Sequence, residues 1–256
     1  MSLTPRQREI LDWLRDASEL STDQLADRFQ VSTQTIRRDI NDLSEQGLVR
    51  RLHGGLSLPA GQRNLSFLQR STAQIERKRR IAHAAIALVP DNATLFLGYG
   101  TTVAEFARAL PADRPLRVVT NNLDAVHALA EKPAIETWVA GGRLRPGDRD
   151  VMGSATLDFI RRFRAHLSIC GAGAVDADGS LFEFHPDEAE FTQVLFANSH
   201  VRAVLADSSK FLRDAPCRVA TLAQIDHFFT DEEARTDAGA DLPALCERAG
   251  VSLHIC

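Results

Sequence analysis

Six short apolar runs, at 94–97, 116–120, 136–140, 167–170, 203–206 and 228–230, constrain the fold more than any other feature of the chain. Each has the length of a strand. Helix-length patterns lie between them, at 103–110, 123–131, 155–163 and 188–198. Strands alternating with helices argue for an α/β domain with a parallel sheet covered on both faces. Ligands of such sheets sit beyond the carboxyl ends of the strands. Small and polar residues collect at those ends. Gly98-Tyr99-Gly100-Thr101-Thr102 follows the first run, Thr120-Asn121-Asn122 the second and Ala140-Gly141-Gly142 the third. Gly171-Ala172-Gly173-Ala174-Val175-Asp176 follows the fourth, and Asp207-Ser208-Ser209-Lys210 the fifth.

Glycines let a backbone approach a ligand closely, and the free N–H groups of a helix start attract a phosphate. Five loops of small and hydroxyl-bearing residues with one lysine therefore predict an anion pocket. Backbone amides and one lysine hold an anion without a basic surface, which fits an acidic domain.

The first 57 residues follow another pattern. A helix is expected over 5–17, with Thr4 as cap, Pro5 at the first helical position and Gln7 closing a capping box. A second starts after Ser21, with Gln24 three residues on, and a third after Ser32, spanning 33–46. Only Gln30 and Val31 separate the second helix from the Ser32 cap. A helix, a tight turn and a helix form a helix-turn-helix. On the third helix Ile36, Ile40 and Leu43 share one side, and at 100° per residue Gln34, Arg38 and Asn41 fall opposite, with Arg37 on a flank. Gln and Asn pair with adenine and Arg with guanine, while flank arginines hold phosphates. Residues 48–57 read as two short strands around a Gly54-Gly55 turn, a wing on which Arg50, Arg51 and His53 face the DNA backbone or minor groove.

Charge supports a polyanion partner for this end only. The whole chain of 256 residues carries −4, yet residues 1–80 hold 14 Lys/Arg against 10 Asp/Glu and the remainder 16 against 24. The basic run Arg77-Lys78-Arg79-Arg80 reads either as a solvated helix face or as an added phosphate contact. Cys170, Cys217, Cys246 and Cys256 are scattered without metal-ligand spacing, as are the histidines, so reduced thiols and no metal or cofactor are expected. No apolar run approaches the ~20 residues of a membrane span, and residues 1–8 lack the apolar core of a signal peptide. A cytoplasmic protein is expected.

The run Gln30-Val31-Ser32-Thr33-Gln34-Thr35-Ile36-Arg37-Arg38-Asp39-Ile40, with Leu43 and Leu52-His53-Gly54-Gly55, resembles the winged helix-turn-helix of the DeoR family. The resemblance implies that the third helix is the recognition helix and that Asp39 is structural, paired with an arginine. It makes Ser32, Gln34, Thr35, Arg37, Arg38, Asn41, Arg50, Arg51 and His53 the expected DNA contacts. The remainder resembles the family's effector domain, which is itself similar to ribose-5-phosphate isomerase. That likeness implies a phosphate loop at Gly100, Thr101 and Thr102 and sugar contacts at Asp176 and Lys210. Gly98, Thr120, Asn121, Asn122, Gly141, Gly142 and Gly171 complete the expected effector site. Val119-Thr120-Asn121-Asn122-Leu123 and Asp178-Gly179-Ser180-Leu181-Phe182-Glu183-Phe184 resemble members that respond to glycerol 3-phosphate. Three positions depart from the family pattern: Leu97 and Tyr99 at the phosphate loop, and Thr192, where many members carry lysine.

The expectation is a repressor with residues 1–57 binding operator DNA, a linker at 58–74, and residues 75–256 sensing a phosphorylated metabolite. Half-site symmetry of operators implies a homodimer or homotetramer. The rival from another class is a sugar-phosphate isomerase carrying a DNA-binding tail, with Glu183, Glu188 and Asp176 as candidate bases. A third reading has the winged helix binding a protein, but an exposed Gln34, Arg38 and Asn41 face lacks the aromatic anchors of protein interfaces.

Overall fold

The computed structural model describes residues 3–17, 19–52, 54–57, 67–145, 147–238 and 241–256. Two compact units divide the chain, residues 1–66 and 67–256.

In the first unit the caps set the helices. Helix α1 (Pro5–Ala17) starts with reciprocal bonds: Thr4 N–H donates to Gln7 Oε1 at 3.0 Å, and Gln7 N–H to Thr4 Oγ1 at 3.2 Å. Ser21 and Gln24 do the same for α2 (Thr22–Phe29). Gln30 then takes the left-handed conformation, with φ 51°, which turns the chain sharply enough for Ser32 to cap α3 (Thr33–Glu45). Ile36, Ile40 and Leu43 are buried with Ile10, Leu14 and Leu25. Asp39 is buried too, and Arg6 Nε donates to its Oδ2 at 2.6 Å, the arginine pairing expected of it.

The wing is larger than the sequence suggests. Strands β2 (Arg50–Leu52) and β3 (Gly55–Ser57) pair antiparallel, and β1 (Glu19–Ser21) adds to the other side of β3. Of the two glycines, Gly54, at φ +90°, lies between the strands, and Gly55 belongs to β3, where a Cβ would sit 2.2 Å from the Leu20 carbonyl oxygen. The pair of glycines thus serves two needs, a left-handed turn and a close approach of strands.

In the second unit a seven-stranded sheet is wholly parallel, in the order β15-β14-β12-β9-β4-β5-β6. Its strands are β4 (Thr94–Leu97), β5 (Leu116–Thr120), β6 (Ile135–Val139), β9 (Ala165–Cys170), β12 (Ser199–Leu205), β14 (His227–Thr230) and β15 (Ser252–Ile255). Side chains alternate across it. Leu95 and Leu97 pack on one face with Ile81 of α5 (Ile75–Ala85) and Phe106 of α6 (Thr101–Ala109), while Phe96 packs on the other with Ile160 of α8 (Ser154–Ile160) and Phe191 of α9 (Pro186–Ala197). Burial on both faces is why the central strands read as unbroken apolar runs. Strand β15 was not foreseen. Ser252 and His254 interrupt its apolar residues, and its partner β14 supplies the pairing.

Two additions decorate the sheet. Strands β7 (Arg143–Arg145) and β8 (Asp150–Met152) form a hairpin, and β10 (Ala174–Val175), β11 (Leu181–Glu183) and β13 (Cys217–Ala220) form a small antiparallel sheet. Of the expected linker, residues 67–72 are helix α4 (Phe67–Thr72), and 58–66 lie outside the described residues. The basic run lies on α5 and is engaged within this unit. Lys78 Nζ donates to the Arg70 and Ala73 carbonyls, Arg77 reaches Ser208 and Glu233, and Arg79 reaches Glu76 and Glu105. Among the described residues no helix is long and apolar enough to cross a membrane, and no group of His, Cys, Asp or Glu converges to hold a metal ion.

Candidate functional site

Helix α3 presents two adjacent polar strips. Gln34 and Arg38, four residues apart, form one, and both are exposed. Arg37 and Asn41 form the other, beside the wing. Together with Thr22, Arg51, Gly54 and Gly55 they border a cleft of about 300 Å³. Arg50 is exposed on β2 outside this cleft. Ser32 and Thr35 start the helix, joined by their hydroxyls at 2.9 Å. His53 lies outside the described residues.

The second site forms where the sheet reverses its order. From β4 the chain steps outward through β5 and β6, then returns to place β9 on the other side of β4 before stepping to β12, β14 and β15. The crevice at such a switch point is where parallel α/β sheets bind ligands. Gly98–Gly100 leaves β4 and Gly171 leaves β9 at this point. Gly100, at φ +99°, caps α6 without a side-chain acceptor, so no side chain of the cap takes the first amides of the helix. Thr101 and Thr102 follow, both buried.

The Thr120-Asn121-Asn122 loop is mostly scaffold. Thr120 Oγ1 donates to the Leu97 carbonyl at 2.7 Å. Asn122 Nδ2 donates to the Gly98 and Gly100 carbonyls, while its Oδ1 accepts from the amides of Asp124 and Ala125 at the start of α7 (Leu123–Leu129). These two residues hold the glycine loop in place, with no side-chain polar atom left over on Asn122. Asn121 keeps a buried Oδ1 without a partner among the described residues. Gly141 and Gly142 are exposed, and the Gly141 carbonyl accepts from Thr156 Oγ1 at 2.8 Å. Asp176 is exposed at the β10–β11 turn, where burial, Asp178 and Asp214 push its pKa up.

Lys210 faces a different acid. Burial pushes its pKa down to about 7, helped by Arg213 and Arg70 and opposed by Asp207 and Glu183. Glu183 is pushed up to about 8 by burial and by Glu188, against the pull of Lys210, the Tyr99 hydroxyl and Arg70. Arg213 joins them, with a buried Nη1 that has no hydrogen-bond partner among the described residues. Glu183 and Arg213 were not expected as ligand contacts. Glu183 had been noted only as a possible base, and Arg213 lies in a turn with no pattern of its own.

Residues 6–62 match the DeoR-like helix-turn-helix domain, and residues 73–232 match the DeoR C terminal sensor domain. The chain belongs to the DeoR family. It is 39% identical over 231 residues to the glycerol-3-phosphate regulon repressor of Escherichia coli, covering 90% of this chain and 92% of that one. It is 38% identical to the E. coli HTH-type transcriptional repressor CsqR, with 91% of each chain covered. The fold is also similar to ribose 5-phosphate isomerase A of Methanocaldococcus jannaschii, at 19% identity, a TM-score of 0.40 and 54% and 55% coverage. As a DeoR-family protein this is a DNA-binding transcription regulator with a sensor domain, and the isomerase alternative gives way to it. Two of the departures from the family pattern touch: the Tyr99 hydroxyl lies 3.3 Å from Thr192 Oγ1 and donates to the Glu188 carbonyl at 3.2 Å.

The Glu183 shift has a measurable consequence. From its ordinary value of 4.5 up to about 8, the folded protein holds a proton that the unfolded chain has released. This carboxyl's contribution to stability therefore falls as pH rises through that window. Lys210 acts with the opposite sign, but only above its depressed pKa of about 7. Thermal unfolding of Glu183→Gln from about pH 5 to about pH 7 is expected to gain on the wild type as pH rises. Parallel curves for the two proteins would show that Glu183 titrates normally.

Proposed function

We propose that the protein represses a glycerol or carbohydrate catabolic operon in the cytoplasm, and that a phosphorylated metabolite sets its affinity for the operator. Residues 1–57 hold the DNA, 58–74 join, and 75–256 sense, in a homodimer or homotetramer on a symmetric operator. The observation that carries this reading is the cluster of Lys210, Arg213 and Glu183, taken together with the uncapped start of α6 at the sheet's switch point. A phosphate fits the amides and cations. Glu183, with its raised pKa, and Asn121 Oδ1 offer polar partners to hydroxyl groups. Glycerol 3-phosphate is the first candidate, because the relative at 39% identity is named for its regulon.

For a ligand to regulate, it must bind the DNA-competent and incompetent states differently. The deciding test is thermal unfolding of the full chain with glycerol 3-phosphate, other phosphosugars, inorganic phosphate and glycerol. At 100 times its dissociation constant the effector stabilises by about 2.7 kcal/mol, and Lys210→Ala is expected to abolish the shift. A shift from another phosphosugar alone would reject glycerol 3-phosphate and keep the sensor. No shift from any phosphorylated compound would reject the phosphate reading.

A further inference from the structure

The cleft between α3 and the wing is built from three elements that the winged helix holds rigidly together. Thr22 N–H at the start of α2 donates to the Gly54 carbonyl at 2.8 Å, tying the wing turn to that helix. Arg37 and Asn41 enter from one strip of α3, and Arg51 from β2. No acidic residue borders the cleft. Among the described residues neither Arg37 nor Arg51 has an ion-pair partner, whereas Arg6 and Arg77 do. On the same cleft Asn41 Oδ1 is buried with no donor among the described residues.

Two exposed cations and a buried acceptor in one cleft form an incomplete hydrogen-bond set. Arginine donates but does not accept, so Asn41 Oδ1 gives a guanidinium an anchor and an anion gives both guanidinium groups a common partner. We propose that Arg37 and Arg51 grip one and the same DNA phosphate in this cleft, with Asn41 positioning the arginines rather than reading a base. The recognition strip that reads bases is then Gln34 and Arg38. The phosphate fixes the register between α3 and the wing, because its two cations come from different elements.

The test uses the full chain and a short random-sequence duplex, with binding followed by fluorescence anisotropy across a potassium chloride series. Each phosphate contact contributes about 0.9 to the slope of log affinity against log salt. The double variant Arg37→Ala/Arg51→Ala is expected to lose about 0.9, one phosphate's worth. The double variant Arg37→Ala/Arg50→Ala removes the same charge from two places and is expected to lose about 1.8. Asn41→Ala is expected to weaken binding to the random duplex in the wild-type background and to have no effect in the Arg37→Ala/Arg51→Ala background. A loss of about 1.8 in the Arg37/Arg51 pair, or none, overturns the shared phosphate. Unchanged affinity of Asn41→Ala for the random duplex returns Asn41 to base reading. Arg37, Arg50 and Arg51 are exposed, so replacing them leaves the core contacts in place, and the unfolding temperature of each variant checks that it folds.

Discussion

Arg145→Ala is expected to lower the unfolding temperature of the sensor unit by roughly 10 °C, from a loss of about 3–5 kcal/mol at about 2–4 °C per kcal/mol in a unit of this size. Arg145 is buried on β7, and its fork is fully used. Nε and Nη2 donate to the two oxygens of Asp150 at 2.7 and 2.5 Å, and Nη1 donates to Glu188 Oε1 at 2.8 Å. Both acids are buried. Removing the guanidinium leaves two carboxylates desolvated and facing each other. The other oxygen of Glu188 accepts the His185 amide that starts α9, so the damage reaches from the hairpin into that helix. Burial already pushes the Asp150 pKa up against the pull of Arg145. Without Arg145 nothing opposes the push on Asp150, which takes up a proton more readily, and the deficit is expected to shrink as pH falls. Arg145→Lys retains one charge but not the fork, and is expected to recover less than half of the loss. An unfolding temperature for Arg145→Ala within about 2 °C of the wild type would show that the network adds nothing to stability.

Gly55→Val is expected to cost operator and non-specific DNA binding roughly fivefold to a hundredfold while the sensor unit keeps its unfolding transition. Valine favours strands, so any loss is steric. A Cβ at this position meets the Leu20 carbonyl oxygen at 2.2 Å and the Ser21 Cα at 3.0 Å, both backbone atoms that no rotamer moves. Strand β1 must part from β3. The strain is about 1–3 kcal/mol by analogy with overpacked cores, and every ~1.4 kcal/mol is tenfold in affinity where the wing must be formed to bind. Gly54→Asn at the turn is a useful contrast, since asparagine tolerates a positive φ and nothing lies within 4 Å of its Cβ. It is expected to retain most of the binding. Full DNA affinity in Gly55→Val would mean that the three-stranded wing is not needed.

The contrast between the two sites shows how far local chemistry reaches. Ser21-Gln24 and Thr4-Gln7 formed the capping boxes that their spacing predicted, because a cap is satisfied within four residues. Ile36, Ile40 and Leu43 were legible as core by period, and Asp39 as structural through the family likeness. In the sensor domain, β4 and β5 match their apolar runs residue for residue. Strand β12 begins four residues before its run, since Ser199, His200 and Arg202 carry no apolar signal and are held by pairing with β9. The three-residue strands β1, β7 and β8 are too short for any period to appear. Strand β1 exists because β3, distant in sequence, completes its hydrogen bonds, while β7 and β8 complete each other's as a hairpin.

The effector site divides the same way. Glycine loops at strand ends were visible in the sequence, because parallel sheets place every such loop on one edge. Which side chains meet there was not. The sequence does not show that the Thr120 and Asn122 side chains bond the Leu97, Gly98 and Gly100 carbonyls, or that Asp176 is exposed at the β10–β11 turn. Glu183 is the acid that Lys210 faces because β11 pairs with β13 and its carboxylate packs over Gly173, where a Cβ would lie 2.6 Å from Oε2. The helix-turn-helix, the parallel sheet and the gathering of glycine loops on one sheet edge are legible along the chain, since caps and periodicity are local. Only tertiary structure decided which charges share a cleft, since burial and Coulomb interaction depend on distance in space rather than along the chain.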